Sequence, residues 1–229
     1  MKLYTHHTFL RSVLIGGCLI LTLFFAACST SGSNGTTVIP TPTPTPTPAP
    51  ALTTYTGQGY TIGYPKDWTY KNVNGQSLAT NAFIGNYINS LSRIINQTGQ
   101  QIPITIFSDS SGTNTLTVGT LPNPNGIIST QTALNAATAV FRSIVKNCKS
   151  ASIASQTTVG GQTWNQTAAT GTITQAGVIN GKIVSLVSNH PAQSASTKLY
   201  FIIYAGLAST FDTTNSTAFQ PMLQSFKFS

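Results

Sequence analysis

The chain has 229 residues, of which only 6% are charged, and its 11 lysines and arginines outnumber its 3 acidic residues to give a formal net charge of +8. Soluble domains usually carry charge on about a quarter of their residues, so hydroxyl and amide side chains supply the polarity here. The excess positive charge reflects missing acids and is not a basic patch of the nucleic-acid type, which argues against nucleic-acid binding.

The N-terminal segment has the organisation of an export signal. A basic start precedes an apolar run over residues 12–27, and this run is shorter than the roughly 20 residues that a membrane-spanning helix needs. Ala26 and Ala27 then stand directly before Cys28. We therefore predict a lipoprotein signal peptide over residues 1–27.

This ending resembles the lipobox of bacterial lipoproteins, although Phe25 stands where that family prefers leucine. The resemblance implies cleavage before Cys28 and attachment of a diacylglyceryl group to its sulfur. Two acyl chains anchor a protein stably, whereas one gives only marginal binding. The expected location is the outer face of the cell membrane, or the outer membrane if the cell has two. The alternative is a secreted protein cut at an ordinary site, with an incidental cysteine.

Residues 28–52 are expected to form a stalk. They have no apolar periodicity with which to build a core. Serine and glycine come first, and a Thr-Pro repeat follows, which favours polyproline II at about 3.1 Å per residue. We predict that this stalk holds a domain of residues 53–229 away from the membrane. The alternative is that the repeat serves as a proline-rich ligand for another domain.

The first half of the domain predicts short strands and one helix. Alternating apolar residues over 60–64 predict a strand, followed by a turn at 65–67 and a second strand that begins at Trp68. The segment 79–99 predicts a helix that stops near Gly99. The members of its apolar stripe are Phe83, Ile84, Tyr87, Ile88, Leu91 and Ile95. Two strands around a Ser-Gly turn are expected next, within residues 102–124.

The clearest helical pattern covers residues 129–148. Its apolar side consists of Leu134, Ala137, Phe141, Ile144 and Cys148. Cys148 is then expected to be a buried, inert thiol, the alternative being a thiol made reactive by the lysines beside it. Arg142, Lys146 and Lys149 would form a basic strip near the end of this helix. Such a strip either stabilises the helix dipole or attracts anionic lipids and wall polymers.

The rest of the chain predicts mainly strands. Gly160 and Gly161 indicate a hairpin turn. Segments 181–190 and 197–207 are expected to pair, the second as a central strand buried on both faces. A short helix with Phe219, Met222 and Leu223 should follow, and then a last strand at Phe226 and Phe228.

Runs of strands with few helices predict an α+β fold with an antiparallel sheet and helices packed against it. Segments 55–68, 113–124 and 201–229 resemble the PsbP/Mog1-like domain, with a Tyr-Pro-x-x-Trp start and a Met-Leu-x-Ser-Phe-x-Phe end. The resemblance covers about residues 55–229. It implies an accessory or binding role, because members of that family assist photosystem II or a transport GTPase.

The domain is poor in residues that perform catalysis. His190 is the only histidine after the signal segment and is expected to be solvated in a loop, and no G-x-S-x-G motif accompanies it. Turn or cap positions account for Asp67, Asp109 and Asp212. No ligand cluster, P-loop or dinucleotide fingerprint is present. We predict no catalytic residue, no cofactor, no metal and no enzymatic activity.

Three hypotheses of function remain at this point. The first is a tethered binding or accessory module with an unknown ligand, held to the membrane through Cys28 and working beside a partner in the cell wall or membrane. The second is an extracytoplasmic hydrolase of a type that the sequence does not reveal. The third is a structural surface protein without a ligand. An enzyme needs converging polar groups in a pocket, whereas a binding module can use an apolar or aromatic patch.

Overall fold

The computed structural model describes residues 51–74, 82–94, 102–173 and 179–229. Its strands are β1 (Leu52–Gly57), β2 (Tyr60–Pro65), β3 (Thr69–Asn74), β4 (Pro103–Ser108), β5 (Thr115–Pro122), β6 (Lys146–Ala151), β7 (Gln156–Val159), β8 (Gln162–Ile173), β9 (Ile179–His190), β10 (Lys198–Leu207) and β11 (Lys227–Phe228). Its helices are α1 (Ala82–Ile94), α2 (Thr130–Ile144), α3 (Phe211–Thr214) and α4 (Gln220–Ser225). None of the helices in this part of the chain is long and apolar enough to cross a membrane.

The strands form two antiparallel sheets. The large sheet has the order β3-β4-β5-β10-β9-β8-β6, and β7 pairs with the first half of β8 while β6 pairs with the second half. The small sheet has the order β1-β2-β11. This architecture confirms the predicted α+β class with an antiparallel sheet.

Strand β10 lies in the middle of the large sheet and separates two cores. Residues Leu199, Phe201 and Ile203 pack into the core formed with α1 and α2. The alternate residues, Tyr200, Ile202 and Tyr204, pack into the core formed with the small sheet and the C-terminal helices. Because side chains alternate along a strand, an almost wholly apolar strand suits this position between two layers. The predicted central strand and its pairing with β9 are both confirmed.

Several of the local predictions are also confirmed. The turn at 65–67 closes with a hydrogen bond of 3.0 Å from the Trp68 N–H to the Pro65 carbonyl, although β2 and β3 then enter different sheets. The hairpin at Gly160 and Gly161 joins β7 to β8, and both glycines have positive φ. Helix α1 covers Ala82–Ile94, and four members of its predicted apolar stripe are buried: Ile84, Tyr87, Ile88 and Leu91. The remaining predictions for that helix, Ile95 and the stop at Gly99, lie outside the described residues.

The C-terminal helical stretch is continuous from α3 to α4 through a π-helical turn, Asn215–Phe219. The Gln220 N–H donates to the Asn215 carbonyl, five residues back. Pro221 follows Gln220. Because proline has no N–H, it cannot donate the next helical hydrogen bond, so the regular hydrogen-bond pattern of the helix is interrupted at this point. Phe219, Met222 and Leu223 are buried as predicted.

The predicted position of Cys148 on a helix is wrong. Helix α2 ends at Ile144, and Val145 is already extended, with φ −117° and ψ 126°. The β-branched pair at 144 and 145 disfavours further helix, and the extended backbone lets Val145 be buried at 5% exposure. Cys148 is therefore a half-buried residue of β6 that packs against the edge of the helix-side core.

The predicted basic strip is wrong for the same reason. Lys146 and Lys149 lie on β6 and not on the helix that carries Arg142. Between these two lysines the register of β6 against β8 shifts, and Asn147 has a φ of 54°. This irregularity has the character of a β-bulge, which turns the strand locally. The three cations thus do not share one helical face.

Candidate functional site

His190 has a packing role. Its imidazole stacks on the Phe228 ring with centroids 3.9 Å apart and an interplanar angle of 14°. Phe228 stacks in turn on the buried Trp164, with centroids 5.8 Å apart. The sequence predicted a solvated loop histidine, but the imidazole is half-buried at the end of β9 because β11 places Phe228 beside it.

Asp109 organises the turn between β4 and β5. Its Oδ1 accepts hydrogen bonds from the Ser111 hydroxyl at 2.9 Å and the Thr113 N–H at 3.0 Å, and from the Asn114 N–H at 3.2 Å. Its Oδ2 accepts from the Asn114 side chain at 2.7 Å. Partial burial would raise the pKa of Asp109, but these hydrogen bonds to the charged form outweigh it and lower the pKa. The predicted turn role is confirmed.

The other two aspartates, Asp67 and Asp212, lie on different elements from Asp109. Asp67 occupies the turn after β2. The predicted cap position of Asp212 is wrong, because Asp212 is the second residue of α3 and Thr210 occupies the cap position; the Oδ1 of Asp212 lies 3.0 Å from the Lys182 ammonium group. Within the described ranges no group of three or more His, Cys, Asp or Glu residues could hold a metal ion. The residues that the sequence offered for catalysis are thus placed separately, in turns, in an exposed ion pair and in an aromatic stack.

A cleft of about 440 Å³ opens where the helix layer stops short of covering the large sheet. We call it the sheet–helix cleft. Its floor is the helix-facing surface of β5, β9 and β10, with the side chains of Thr115, Thr117, Ile183, Ile203 and Ala205. Its walls come from the helices, with Ile84, Phe141 and Ile144. The turn of residues 111–113 forms the rim.

The lining of the sheet–helix cleft is mostly apolar, and its polar groups are hydroxyls. Thr115 and Thr117 lie in the floor, and Ser111 and Thr113 lie at the rim. Lys182 also borders the cleft. Its ammonium group, however, contacts Asp212 and lies 4.6 Å from the centre of the Phe211 ring, which belongs to the core on the opposite face. The cleft therefore offers an uncharged surface with a few hydrogen-bonding groups.

Such a lining has the composition of a ligand pocket. Ligand pockets are typically apolar cavities of roughly 300–1,000 Å³ with a small number of polar groups that orient the ligand. A serine or threonine nucleophile needs a neighbouring base, and the cleft-lining residues in the described part of the chain include no histidine or carboxylate. The arrangement can hold an apolar chain or ring and position a neutral polar head at the hydroxyl rim.

Sequence reasoning missed this cleft. Its residues come from two helices, three strands and one turn between Ile84 and Leu207, and the local sequence of each is typical of ordinary core or turn. The sequence feature that could have indicated the cleft is the β-branched pair Ile144 and Val145. Helix α2 stops at this pair and therefore leaves part of the large sheet uncovered.

No family profile matches the chain, and no curated protein sequence matches it. Among solved structures, the chain is similar to LpqN, described as involved in cell envelope biogenesis of Mycobacterium tuberculosis, with 14% sequence identity and a TM-score of 0.39. The match covers 78% of this chain and 91% of LpqN. At that TM-score the likeness supports no conclusion about the function of this chain.

Proposed function

We propose that this protein is a membrane-tethered extracytoplasmic binding protein whose domain holds a small, uncharged amphiphile in the sheet–helix cleft. The observation that supports the binding role is the cleft itself, with its mostly apolar floor and walls and its few hydroxyl groups. A charged ligand would lose its hydration there without gaining a partner of opposite charge. A neutral molecule with one apolar part and one polar part loses little hydration and gains both kinds of contact.

The tether is proposed from the sequence. A short apolar run ends in Ala26 and Ala27, directly before Cys28. This pattern supports cleavage between Ala27 and Cys28 and acylation of the Cys28 sulfur. The Thr-Pro repeat between Cys28 and the domain supports a spacer. The protein would then sit in the cell envelope on the outer face of the cell membrane, beside partners in the wall or membrane. The resemblance to PsbP/Mog1-like domains agrees with an accessory role.

The binding proposal is tested with the neutral apolar fluorophore N-phenyl-1-naphthylamine, added to the unlipidated chain that begins at Ser29. We expect a saturable rise in its fluorescence, which 1-monolauroylglycerol reverses by competition. Ala205→Phe should weaken binding about tenfold or more, because the added ring projects from the cleft floor into the space that the fluorophore needs.

Ala139→Phe is the matched control, since it adds the same ring to an exposed position of α2. It should leave the affinity unchanged. Both variants are first shown by thermal melting to be folded. If the fluorophore binds the Ala205→Phe variant as well as the parent chain, its site is not the sheet–helix cleft and the proposal is wrong.

The anchor has its own test. The intact mass of protein extracted from membranes should correspond to a chain that begins at Cys28 and carries added acyl groups. Cys28→Ala should abolish both the processing and the membrane attachment, whereas Cys18→Ala, inside the apolar run, should abolish neither. Normal processing and attachment of the Cys28→Ala variant would contradict the lipoprotein assignment.

A further inference from the structure

A second concave surface lies where the two sheets meet. A groove of about 330 Å³ runs between β1 and β2 of the small sheet and β3 and β4 of the large sheet. Its polar lining consists of Tyr55, Gln58, Tyr60, Asn72 and Thr105. We call it the tyrosine groove. It shares no lining residue with the sheet–helix cleft.

A hydrogen-bond network fixes the polar groups of the tyrosine groove. The Tyr60 hydroxyl donates to Thr105 Oγ1 at 3.0 Å, and the Tyr55 hydroxyl donates to Asn72 Oδ1 at 2.7 Å. Thr105 Oγ1 lies 3.1 Å from both the Tyr55 hydroxyl and Asn72 Oδ1, so its one proton can serve either. Tyr60 and Thr105 are buried at 3% and 4% exposure. The network uses only the Oδ1 of the exposed Asn72 and does not engage its two Nδ2 protons.

An aromatic surface continues from the groove. The Tyr70 ring lies 4.8 Å from the Tyr55 ring and 5.8 Å from the Tyr64 ring, measured between centroids. Tyr55 and Tyr64 both rest on the fully buried Phe107, at 5.5 and 5.3 Å. Tyr70 remains 48% exposed. Three tyrosine rings are thus held in place from below while one of them presents a large apolar area to solvent.

We propose that the tyrosine groove and the exposed Tyr70 bind a neutral oligosaccharide. A sugar ring has an apolar C–H face, which packs on an aromatic ring, and hydroxyl groups that both donate and accept hydrogen bonds. Tyrosine offers both kinds of contact at low conformational cost. The polar groups of the groove are hydroxyls and carboxamides, and none of its lining residues in the described chain is charged. That chemistry matches an uncharged, hydroxyl-rich ligand.

A peptide is a poorer fit. An extended peptide presents N–H groups that need acceptors, and the acceptors Asn72 Oδ1 and Thr105 Oγ1 already receive hydrogen bonds within the network. The donors that remain outside it, on Asn72 and Gln58, suit sugar hydroxyls and acetamido carbonyls. A proline-rich peptide, which lacks N–H groups at its prolines, is the strongest peptide competitor because such segments dock on aromatic grooves.

The test measures binding of three soluble tetrasaccharides by isothermal titration calorimetry: β-1,4-linked N-acetylglucosamine, α-1,4-linked glucose and α-1,6-linked mannose. The full chain is used, extracted in a polyoxyethylene detergent that contains no sugar. We expect at least one tetrasaccharide to bind with a Kd of about 1 mM or lower. Tyr70→Ala and Asn72→Ala should each weaken that binding about tenfold, whereas Tyr70→Phe should retain most of it.

Lys71→Ala is the matched control, because Lys71 lies on the same strand between the two tested residues with its side chain on the opposite face. It should bind like the parent chain. The proposal is overturned if none of the three tetrasaccharides binds, or if binding survives Tyr70→Ala. It is also overturned if a synthetic peptide of residues 40–50 binds in a Tyr70-dependent manner and the sugars do not.

Discussion

The carboxamide of Asn123 holds the main chain of Ile128 by two hydrogen bonds. The Ile128 N–H donates to Asn123 Oδ1 at 2.8 Å, and Asn123 Nδ2 donates to the Ile128 carbonyl at 2.9 Å. Asn189 on β9 joins both partners, accepting from Asn123 Nδ2 at 2.8 Å and donating to the Ile128 carbonyl at 3.1 Å. This buried network ties the connection between β5 and α2 to the large sheet.

Asn123→Ala should therefore destabilise the domain by about 2–4 kcal/mol, because it leaves the buried Ile128 N–H without its acceptor and opens a small cavity. Urea unfolding measures the change in free energy. Asn135→Ala, on the exposed side of α2, is the control and should change stability by less than about 0.5 kcal/mol. Equal effects of the two variants would show that the network contributes no more than a surface amide.

The Phe201 ring lies over Gly119 on the neighbouring strand, and the two residues are direct partners in the β5–β10 register. A Cβ at position 119 would overlap that ring. Gly119→Ala should then cost about 1–3 kcal/mol through overpacking. In a Phe201→Leu background Gly119→Ala should reduce the free energy of unfolding by less, because the aromatic ring that the new Cβ would overlap is absent. The double-mutant cycle, measured by chemical unfolding, should give a coupling clearly different from zero, and strictly additive effects would contradict this explanation.

Acid stability should depend on Asp109. Its pKa is lowered in the folded state, so its contribution to stability is present above the unfolded-state pKa, roughly 3.9 for aspartate. The contribution is lost as the pH falls through the lower, folded-state pKa. The chain has only three acidic side chains, which makes this loss easy to assign. Melting temperatures at pH 6 and pH 2 should differ less for Asp109→Asn than for the parent chain, and an unchanged difference would contradict the assignment.

The purified domain should show no hydrolytic turnover. The half-buried His190 stacks on Phe228, and neither it nor the half-buried Cys148 of β6 is among the described residues that line the sheet–helix cleft. An esterase, peptidase and glycosidase panel, run beside His190→Ala and Cys148→Ala, checks this expectation. Turnover that either substitution abolishes, while the fold stays intact, would support the hydrolase hypothesis instead.

The stalk should not contribute to the stability of the domain. Its prolines lack the N–H groups that a strand or helix would need, and its sequence has no apolar period. A chain that begins at Ala51 should melt at the same temperature as one that begins at Ser29. A clearly lower melting temperature of the shorter chain would mean that residues 29–50 pack on the domain.

Much of the fold followed from the sequence because alternation and helical spacing report local burial. The strands around Gly112, the Gly160–Gly161 hairpin and the β9–β10 pair were all predicted from such patterns. The end of α2 was not, because the predicted apolar stripe continues from Ile144 to Cys148, and both a helix and a strand can bury apolar residues in that segment. Val145 is extended and buried against the large sheet, so the segment after Ile144 is a strand and not a continuation of the helix.

The candidate sites depend on contacts between distant segments. Asn72 and Thr105 are partners in the β3–β4 register, and Tyr55 reaches them only because β1, in the small sheet, lies against β3 and β4 of the large sheet. In the sequence each of them is an ordinary polar residue of its own strand. The stack of His190 on Phe228 likewise depends on β11, a strand of two residues.

Strand β1 comes shortly after the Thr-Pro repeat in the sequence, and at the edge of the small sheet it pairs with β2, from Leu52 opposite Pro65 to Gly57 opposite Tyr60. If the domain is tethered through Cys28, a pulling force between membrane and wall enters the fold at Leu52 and acts on β1 before any other strand. Displacement of β1 would draw Tyr55 away from Asn72 and Thr105. Tension would then loosen the tyrosine groove, so that any sugar held there would behave as a slip bond and dissociate faster under load.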